Sequence, residues 1–288
     1  MSPLHELHEQ PALVDPVLVI TLDGWIDAGA GGANAAAHLL ETLSPTVLAT
    51  FDTDVLLDYR ARRPVMHIED GVSTHLAWTD IRLLAAKDVA GKDLLLLVGA
   101  EPDHAWRAFS DEVVELAQSF GTRMVVGLGA YPAAAPHTRP VRLACTAATP
   151  ELSRALPFVH GTLEVPAGIH AVIEKQAGDA GIPSIGLWAQ VPHYAAAMPY
   201  PAASAALLDG LRQLTDLDVD ASALHQQATE SSSRLDALVA ESDEHQELVH
   251  QLEVHADTQG EDDDSPLELQ TGDEIAAEFE RFLRDQDG

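Results

Sequence analysis

The sequence predicts an α/β protein with a mostly parallel or mixed sheet. Four short apolar runs, at residues 18–22, 94–98, 124–126 and 185–188, each give way near a glycine or proline to polar, aromatic or charged residues. Such nearly continuous runs are typical of strands buried on both faces of a sheet. Helix candidates alternate with them, at residues 32–42, 106–120, 167–180 and 201–215. Strands and helices that alternate in this way form βαβ units.

Local signals mark several helix ends. Thr149 provides an N-cap and Pro150 suits the first helical position, so we expect a short helix to begin there. Gly121 and Gly181 are expected to end the helices that precede them.

Polar and aromatic side chains follow the predicted strands, where parallel sheets bind their ligands. The candidate cleft consists of Asp23, Trp25, Asp27, Glu101, Asp103, Tyr131, His137, Arg139, Trp188, His193 and Tyr194. Two carboxylates in different environments can serve as acid and base, but acids in such loops also cap helices and bind backbone N–H groups. Asp103 or Ser110 is a candidate cap for the helix at residue 106. The aromatic residues suit either a ligand pocket or an oligomer interface. No set of residues is assigned as catalytic.

Three arginines, Arg60, Arg62 and Arg63, lie within four residues. Their guanidinium groups suit either a phosphate or carboxylate ligand or ion pairs with a neighbouring subunit. The sequence leaves both interpretations open.

A glycine-rich segment at residues 29–34 partly matches a dinucleotide-binding fingerprint. Six residues separate it from the strand, and Asn34 occupies the position of the third glycine. Both features oppose dinucleotide binding, and the alternatives are close packing of the helix on the sheet or an anion bound at the helix N-terminus. We therefore predict no cofactor.

Composition excludes several functions. The net charge of −30 disfavours nucleic acid and anionic membranes as partners. Cys145 is the single cysteine, with apolar neighbours, and is interpreted as a small buried hydrophobic residue. His5 and His8 lie in an expected unstructured leader, and His245, His250 and His255 are not on one helical face, so no metal site is predicted.

Since the first residues do not resemble a signal peptide, a cytoplasmic location is expected.

The chain divides into five predicted parts. Residues 1–16 form a flexible leader, 17–216 an α/β core, 217–257 a helical extension, 258–270 an acidic linker and 271–288 an amphipathic helix. Heptad-like spacing between Leu224 and Leu252 favours a helix or helical hairpin packed on the core over a free coiled coil. Ile275, Phe279, Phe282 and Leu283 form the apolar stripe of the last helix.

Several of these segments together resemble a known family. DGWIDAG (23–29), FDTD (51–54), DYRARRP (58–64), EPD (101–103), PHTRP (136–140), WAQVPHY (188–194) and GDEIAAE (272–278) are similar to the bacterial branch of the proteasome assembly chaperone family, second-chaperone type. The resemblance covers residues 17–284. It implies a three-layer α/β/α sandwich like that of nucleoside phosphorylases, a helical C-terminal part, and homo-oligomers, with trimers favoured.

The resemblance also implies a function without an established enzymatic activity or cofactor. Archaeal relatives dock on the proteasome through a C-terminal hydrophobic-Tyr-any tripeptide, which Gln286-Asp287-Gly288 does not match. We therefore expect a cytoplasmic assembly or interaction protein without that docking mode. The alternative is a nucleoside-phosphorylase-like enzyme or small-ligand binder, in which Asp23, Asp27, Glu101, His137, Arg139 and His193 face one cleft.

Overall fold

A computed structural model describes residues 3–24, 26–158, 162 and 164–259. The strands are β1 (His5–Leu7), β2 (Val17–Asp23), β3 (Thr46–Phe51), β4 (Val65–Glu69), β5 (Val72–Ala77), β6 (Ile81–Lys87), β7 (Asp93–Ala100), β8 (Met124–Ala133), β9 (Leu143–Ala147) and β10 (Ser184–Pro192). The helices are α1 (Gly31–Leu43), α2 (Thr53–Leu56), α3 (Trp106–Ser119), α4 (Pro150–Ala155), α5 (Ile169–Asp179), α6 (Pro201–Thr215), α7 (Ser222–Ala240) and α8 (Asp243–Gln259).

The main sheet has eight strands in the order β1-β3-β6-β7-β2-β8-β10-β9. The four strands β7, β2, β8 and β10 are parallel, and the outer strands pair antiparallel. The four apolar runs recognised in the sequence form this parallel centre, which buries both faces of each strand. The prediction of an α/β fold with a mixed sheet is therefore confirmed.

Helices cover the sheet on both faces. Leu39 of α1, Leu207 of α6 and Leu235 of α7 belong to one buried core, which includes Val19 of β2. Phe109 of α3 and Ile173 of α5 belong to the second core, on the opposite face. Two helical layers with a sheet between them make the three-layer α/β/α sandwich that the resemblance implied.

The predicted start of α4 and the predicted ends of α3 and α5 are confirmed. The hydroxyl of Thr149 accepts a hydrogen bond from the backbone N–H of Leu152, with Pro150 at the first helical position. Gly121 follows α3 with a φ of 68° and Gly181 follows α5 with a φ of 83°. A residue with a Cβ is strained at such positive φ values, which explains glycine at both positions.

The start of the chain differs from the prediction of an unstructured leader. β1 pairs antiparallel with β3, Leu4 is buried, and its backbone N–H donates to the carboxylate of Glu112 at 2.7 Å. His5 contacts the same carboxylate at 2.5 Å. A three-residue edge strand is too short to show a periodic pattern, and its partner is distant in the sequence.

Strands β8 and β10 run further than the sequence indicated. The glycines after residue 126 were interpreted as the end of a strand, but β8 continues to Ala133, so Tyr131 lies on the strand. Trp188 likewise lies in the middle of β10. An added Cβ at Gly129 would lie 2.6 Å from Cε3 of Trp188, so this glycine makes room for the indole instead of ending the strand.

The region after α6 forms two helices, α7 and α8. Leu224, Leu235, Val249 and Leu252 are buried, and α7 packs against α6. Residues 258 and 259, predicted as linker, belong to α8. The rest of the predicted linker and the predicted helix at 271–288 lie outside the described residues. Among the described residues, no helix is long and apolar enough to span a bilayer.

Candidate functional site

The carboxyl ends of β7, β2, β8 and β10 lie along one edge of the sheet, as parallel pairing requires. Asp23 ends β2, Glu101 follows β7 and His193 follows β10. The described candidates nevertheless do not form one group, because alternate side chains of a strand point to opposite faces. They divide into a group beside α5, a group beside α7 and α8, and a group near the β4–β5 hairpin, while Asp27 lies at the start of α1. Trp25 lies outside the described residues.

Glu101 lies beside the N-terminus of α5. Its carboxylate is buried and accepts a hydrogen bond from the backbone N–H of Ile169 at 2.7 Å. Its own backbone N–H donates to the carbonyl of Asp23 at 2.8 Å, which ties β7 to β2. A carboxylate at this helix end interacts favourably with the helix dipole. Glu101 therefore has a structural role in fixing α5 on the sheet.

Asp27 lies at the start of α1. Its two carboxylate oxygens accept hydrogen bonds from the backbone N–H groups of Gly32 and Ala33, at 2.7 and 2.8 Å. Burial raises the pKa of Asp27, and these hydrogen bonds lower it in part. The acid thus satisfies N–H groups that the helix leaves unpaired.

Asp103 does not cap α3, contrary to one expectation. The residue before α3 is Ala105, and it makes no side-chain capping bond; neither does Ser110, whose hydroxyl is buried. Asp103 instead accepts a hydrogen bond from the backbone N–H of Asp58 at 2.8 Å and pairs with Arg62 at 3.3 Å. Arg62 is therefore used within the chain.

The segment that begins beside Asp103 projects from the main sheet. We call residues 59–78 the arm; it contains β4 and β5, which form a separate two-stranded sheet. Tyr59 fixes its base, through hydrogen bonds of its hydroxyl with Thr53 and Asp54 at 2.9 Å and an edge contact with the ring of Trp78. Arg60 and Arg63 are exposed at this base.

His137 and Tyr194 belong to a hydrogen-bonded cluster against α7. The Tyr194 hydroxyl accepts from the backbone N–H of His137 at 2.8 Å and lies 2.7 Å from its Nδ1. We assign the hydroxyl proton to the bond with Nδ1, which leaves Nε2 to donate to Asp236 at 3.2 Å. Burial raises the pKa of Tyr194, which keeps the phenol protonated.

Arg139 makes a similar connection to α8. It pairs with Asp257 through two bonds of 2.8 Å and with Glu253 at 3.1 Å. A bidentate guanidinium–carboxylate pair fixes the relative orientation of its partners. The loop after β8 is thereby joined to both α7 and α8. The side chain of His193 lies beside the Tyr194 ring, at a centroid distance of 5.5 Å.

The group beside α5 contains Tyr131 and Trp188. The Tyr131 hydroxyl accepts a hydrogen bond from the amide of Gln190 at 3.0 Å, and burial raises its pKa. Around Gly186 three polar atoms converge. An added Cβ there would lie 2.5 Å from Oγ1 of Thr146 and 2.9 Å from both Oε2 of Glu174 and Nε1 of Trp188.

Glu174 and His170 were not recognised in the sequence, although both face the sheet from α5. Burial raises the pKa of Glu174 to about 7, and the Thr146 hydroxyl, which donates to it at 2.7 Å, lowers it in part. Burial lowers the pKa of His170 to about 4. Its Nε2 accepts a hydrogen bond from the backbone N–H of Leu22 at 3.0 Å. The feature of the sequence that could have identified them is their spacing of four residues, which places both on the same face of an amphipathic helix.

The predicted thiol environment is also observed. Cys145 is buried, and burial together with the charge of Glu174 raises its pKa. A raised pKa reduces the thiolate population that reactivity requires.

No group of three or more acidic, histidine or cysteine side chains within the described ranges could hold a metal ion. Two surface cavities of about 390 and 430 Å³ lie beside the end of α6 and between α3 and α5. Neither is lined by the strand-end candidates.

The architecture defines a class: a three-layer α/β/α protein whose C-terminal helices are joined to the loops of the sheet's carboxyl edge. Comparison with known proteins identifies the family within it. The sequence model of the PAC2 family matches residues 21–239. The chain belongs to the PAC2 family.

Solved structures agree with this assignment. The proteasome-assembly chaperone homologue Rv2125 of Mycobacterium tuberculosis is 33% identical, with 81% of this chain and 99% of that chain covered and a TM-score of 0.75. A PAC2 family protein of Streptomyces avermitilis is 33% identical, with coverages of 82% and 100% and a TM-score of 0.73. A Corynebacterium glutamicum protein of unknown function is 32% identical, with coverages of 89% and 97% and a TM-score of 0.84. No curated protein matches the chain.

Proposed function

We propose that this chain is a non-enzymatic protein-assembly or interaction protein that works in the cytoplasm as a homo-oligomer, with three copies as the favoured number. The observation that carries this proposal is its similarity to the Mycobacterium tuberculosis proteasome-assembly chaperone homologue over 81% of this chain. Its protein partner is of proteasome type.

The chemistry of the strand ends supports a non-enzymatic role. Glu101 and Asp27 bind backbone N–H groups at helix starts, and Asp103 pairs with Arg62. His137 and Arg139 connect to α7 and α8. An acid or base that must exchange protons with a substrate needs access to it. These groups are instead engaged in contacts that hold the fold together.

Co-purification tests the assembly role. The full chain, tagged and produced at its natural level in the cells that encode it, is recovered at moderate salt after brief crosslinking. Since a chain of charge −30 attracts basic proteins non-specifically, an unrelated protein of matched size and charge serves as the control. We expect proteasome subunits or assembly intermediates with this chain alone. Recovery of the same proteins with both baits, or of none, contradicts the proposal.

One observation favours a second function, the binding of a small ligand. The polar atoms of Thr146, Glu174 and Trp188 converge beside Gly186, and Glu174 has a pKa near neutrality. A thermal-shift screen with nucleosides, with and without phosphate, tests this function, because a ligand that binds the native state raises the melting temperature. Specific binding requires that the shift disappear in the double variant T146V/E174Q. If millimolar ligand does not shift the melting temperature, this ligand-binding function is excluded.

A further inference from the structure

The arm exposes an unusual concentration of apolar side chains. Six of the fourteen large apolar side chains that are exposed in the described part of the chain lie in it, each with 38% to 63% of its surface accessible. They are Val65, Met66, Ile68, Val72, Leu76 and Trp78. The pairing register of β4 and β5 places Met66, Ile68 and Leu76 on the same face, and exposed apolar surface grouped in this way marks a binding surface on a soluble protein.

Within the described residues, the strands of the arm are not paired with the main sheet. β4 and β5 pair only with each other among the described strands, with a bulge between His67 and Ile68. A ribbon of two strands is marginally stable in water and needs a third strand or another packing surface. Its two outer edges carry unpaired backbone groups, which favour pairing or packing with another chain. Because the base is fixed by Tyr59 and the Arg62–Asp103 pair, the ribbon projects from a defined position.

Charge indicates what covers the arm. Residues 59–78 contain three arginines and two carboxylates, and Arg62 is paired with Asp103, so the arm is close to neutral in a chain whose total charge is −30. Two copies of such an acidic chain repel each other over most of their surfaces. Arg60 and Arg63, exposed at the base of the arm, provide the complementary charge for an acidic surface such as that of the remainder of the chain.

We propose that the arm is the surface through which one copy of this chain packs on an acidic face of a second copy. This inference rests on the homo-oligomer in the proposed function and names the contact that forms it. The apolar side chains of β4 and β5 provide the buried centre of that contact. The arginines at the base provide its charged rim.

Hydrodynamic measurements of the full chain test the inference. The variant M66D/I68D places two charges on the ribbon, and the control V14D/V89D introduces two aspartates at exposed valines in loops outside the arm. Wild-type protein and the control are expected to sediment as the same multiple of 30.8 kDa, and M66D/I68D as a monomer. R60E/R63E is expected to raise the concentration of half-dissociation at least about tenfold.

The possible outcomes distinguish a failure of the arm contact from a failure of the proposed homo-oligomer. If M66D/I68D associates as the wild type does, the arm is not the contact, while the homo-oligomer stands. If the wild type is monomeric at all micromolar concentrations, both proposals fail. Circular dichroism of each variant verifies that it is folded.

Crosslinking decides the matter if M66D/I68D does not fold. Cys145 is buried, so a cysteine introduced at exposed Ser73 of β5 is selectively labelled with benzophenone maleimide. After mixing with an isotopically heavy wild-type chain, light exposure is expected to join a labelled chain to a heavy one. The control A90C, in the turn after β6, is expected to give at most a minor product. Products confined to a single chain at S73C overturn the inference.

Discussion

Glu174 allows the electrostatics of α5 to be tested by a single substitution. Burial raises its pKa from 4.5 to about 7 in the folded protein. The folded state therefore binds more protons than the unfolded state between these values, so its stability falls as the pH rises through this window. Each unit of pKa difference corresponds to about 1.4 kcal/mol. Ionised Glu174 is thus expected to cost about 3 kcal/mol of folding free energy at pH 8.

The variant E174Q removes the ionisation and keeps the shape of the side chain. We expect it to be more stable than the wild type by about 3 kcal/mol at pH 8 and by less than about 1 kcal/mol at pH 5, where the folded protein already holds the proton. Urea denaturation at both pH values measures the two differences. E241Q, at an exposed carboxylate after α7, is the matched control and should change little at either pH. An E174Q stability equal to that of the wild type at pH 8, or a gain of the same size at both pH values, refutes the reasoning.

Three other substitutions test contacts of the sheet and its edge. G129A forces a Cβ against the Trp188 indole, and the overpacking is expected to cost about 1–3 kcal/mol in urea denaturation. D27A leaves two N–H groups of α1 without their acceptor and is expected to cost about 1–2 kcal/mol by the same measurement. R139Q breaks the bidentate pair with Asp257 and is expected to increase hydrogen exchange in α8 with little change in the sheet.

Matched controls keep these results specific. G127A lies on the same strand, where a Cβ meets the nearest atom at 3.6 Å, so it should be tolerated. D23A removes an exposed acid near the same edge and should change stability little. R154Q breaks an exposed pair with Glu151 and should leave exchange in α8 unchanged. A variant that behaves like its control contradicts the contact assigned to it.

The sheet could be predicted because its central strands are buried on both faces. That burial requires continuous apolar runs, and such runs are visible in a single sequence at residues 18–22 and 94–98. The limits of β8 and β10 were not predictable in the same way. Gly129 fits below Trp188, and the sequence does not distinguish a glycine that ends a strand from one that accommodates a neighbour.

The sequence allowed the individual side chains at the strand ends to be identified, but not which of them contact each other in the fold. Their partners lie far along the chain: Glu101 with Ile169, and His137 with Asp236. Such pairs follow from the order of strands in the sheet, which a list of apolar runs does not determine. The α5 pair was missed because one histidine and one glutamate on a helix usually face solvent. Whether these residues bind a ligand or partner stays a prediction.

The place of β2 in the middle of the sheet has a consequence for synthesis. Both of its neighbours, β7 and β8, come later in the chain, with Val17 paired to Leu94 and Met124. At ordinary ribosomal rates the second neighbour emerges roughly 5 to 20 s after β2. During that interval one of the most apolar stretches of the polypeptide is nascent and unprotected. During its own synthesis, this chain therefore exposes apolar surface that favours aggregation with unrelated chains until β7 and β8 cover it.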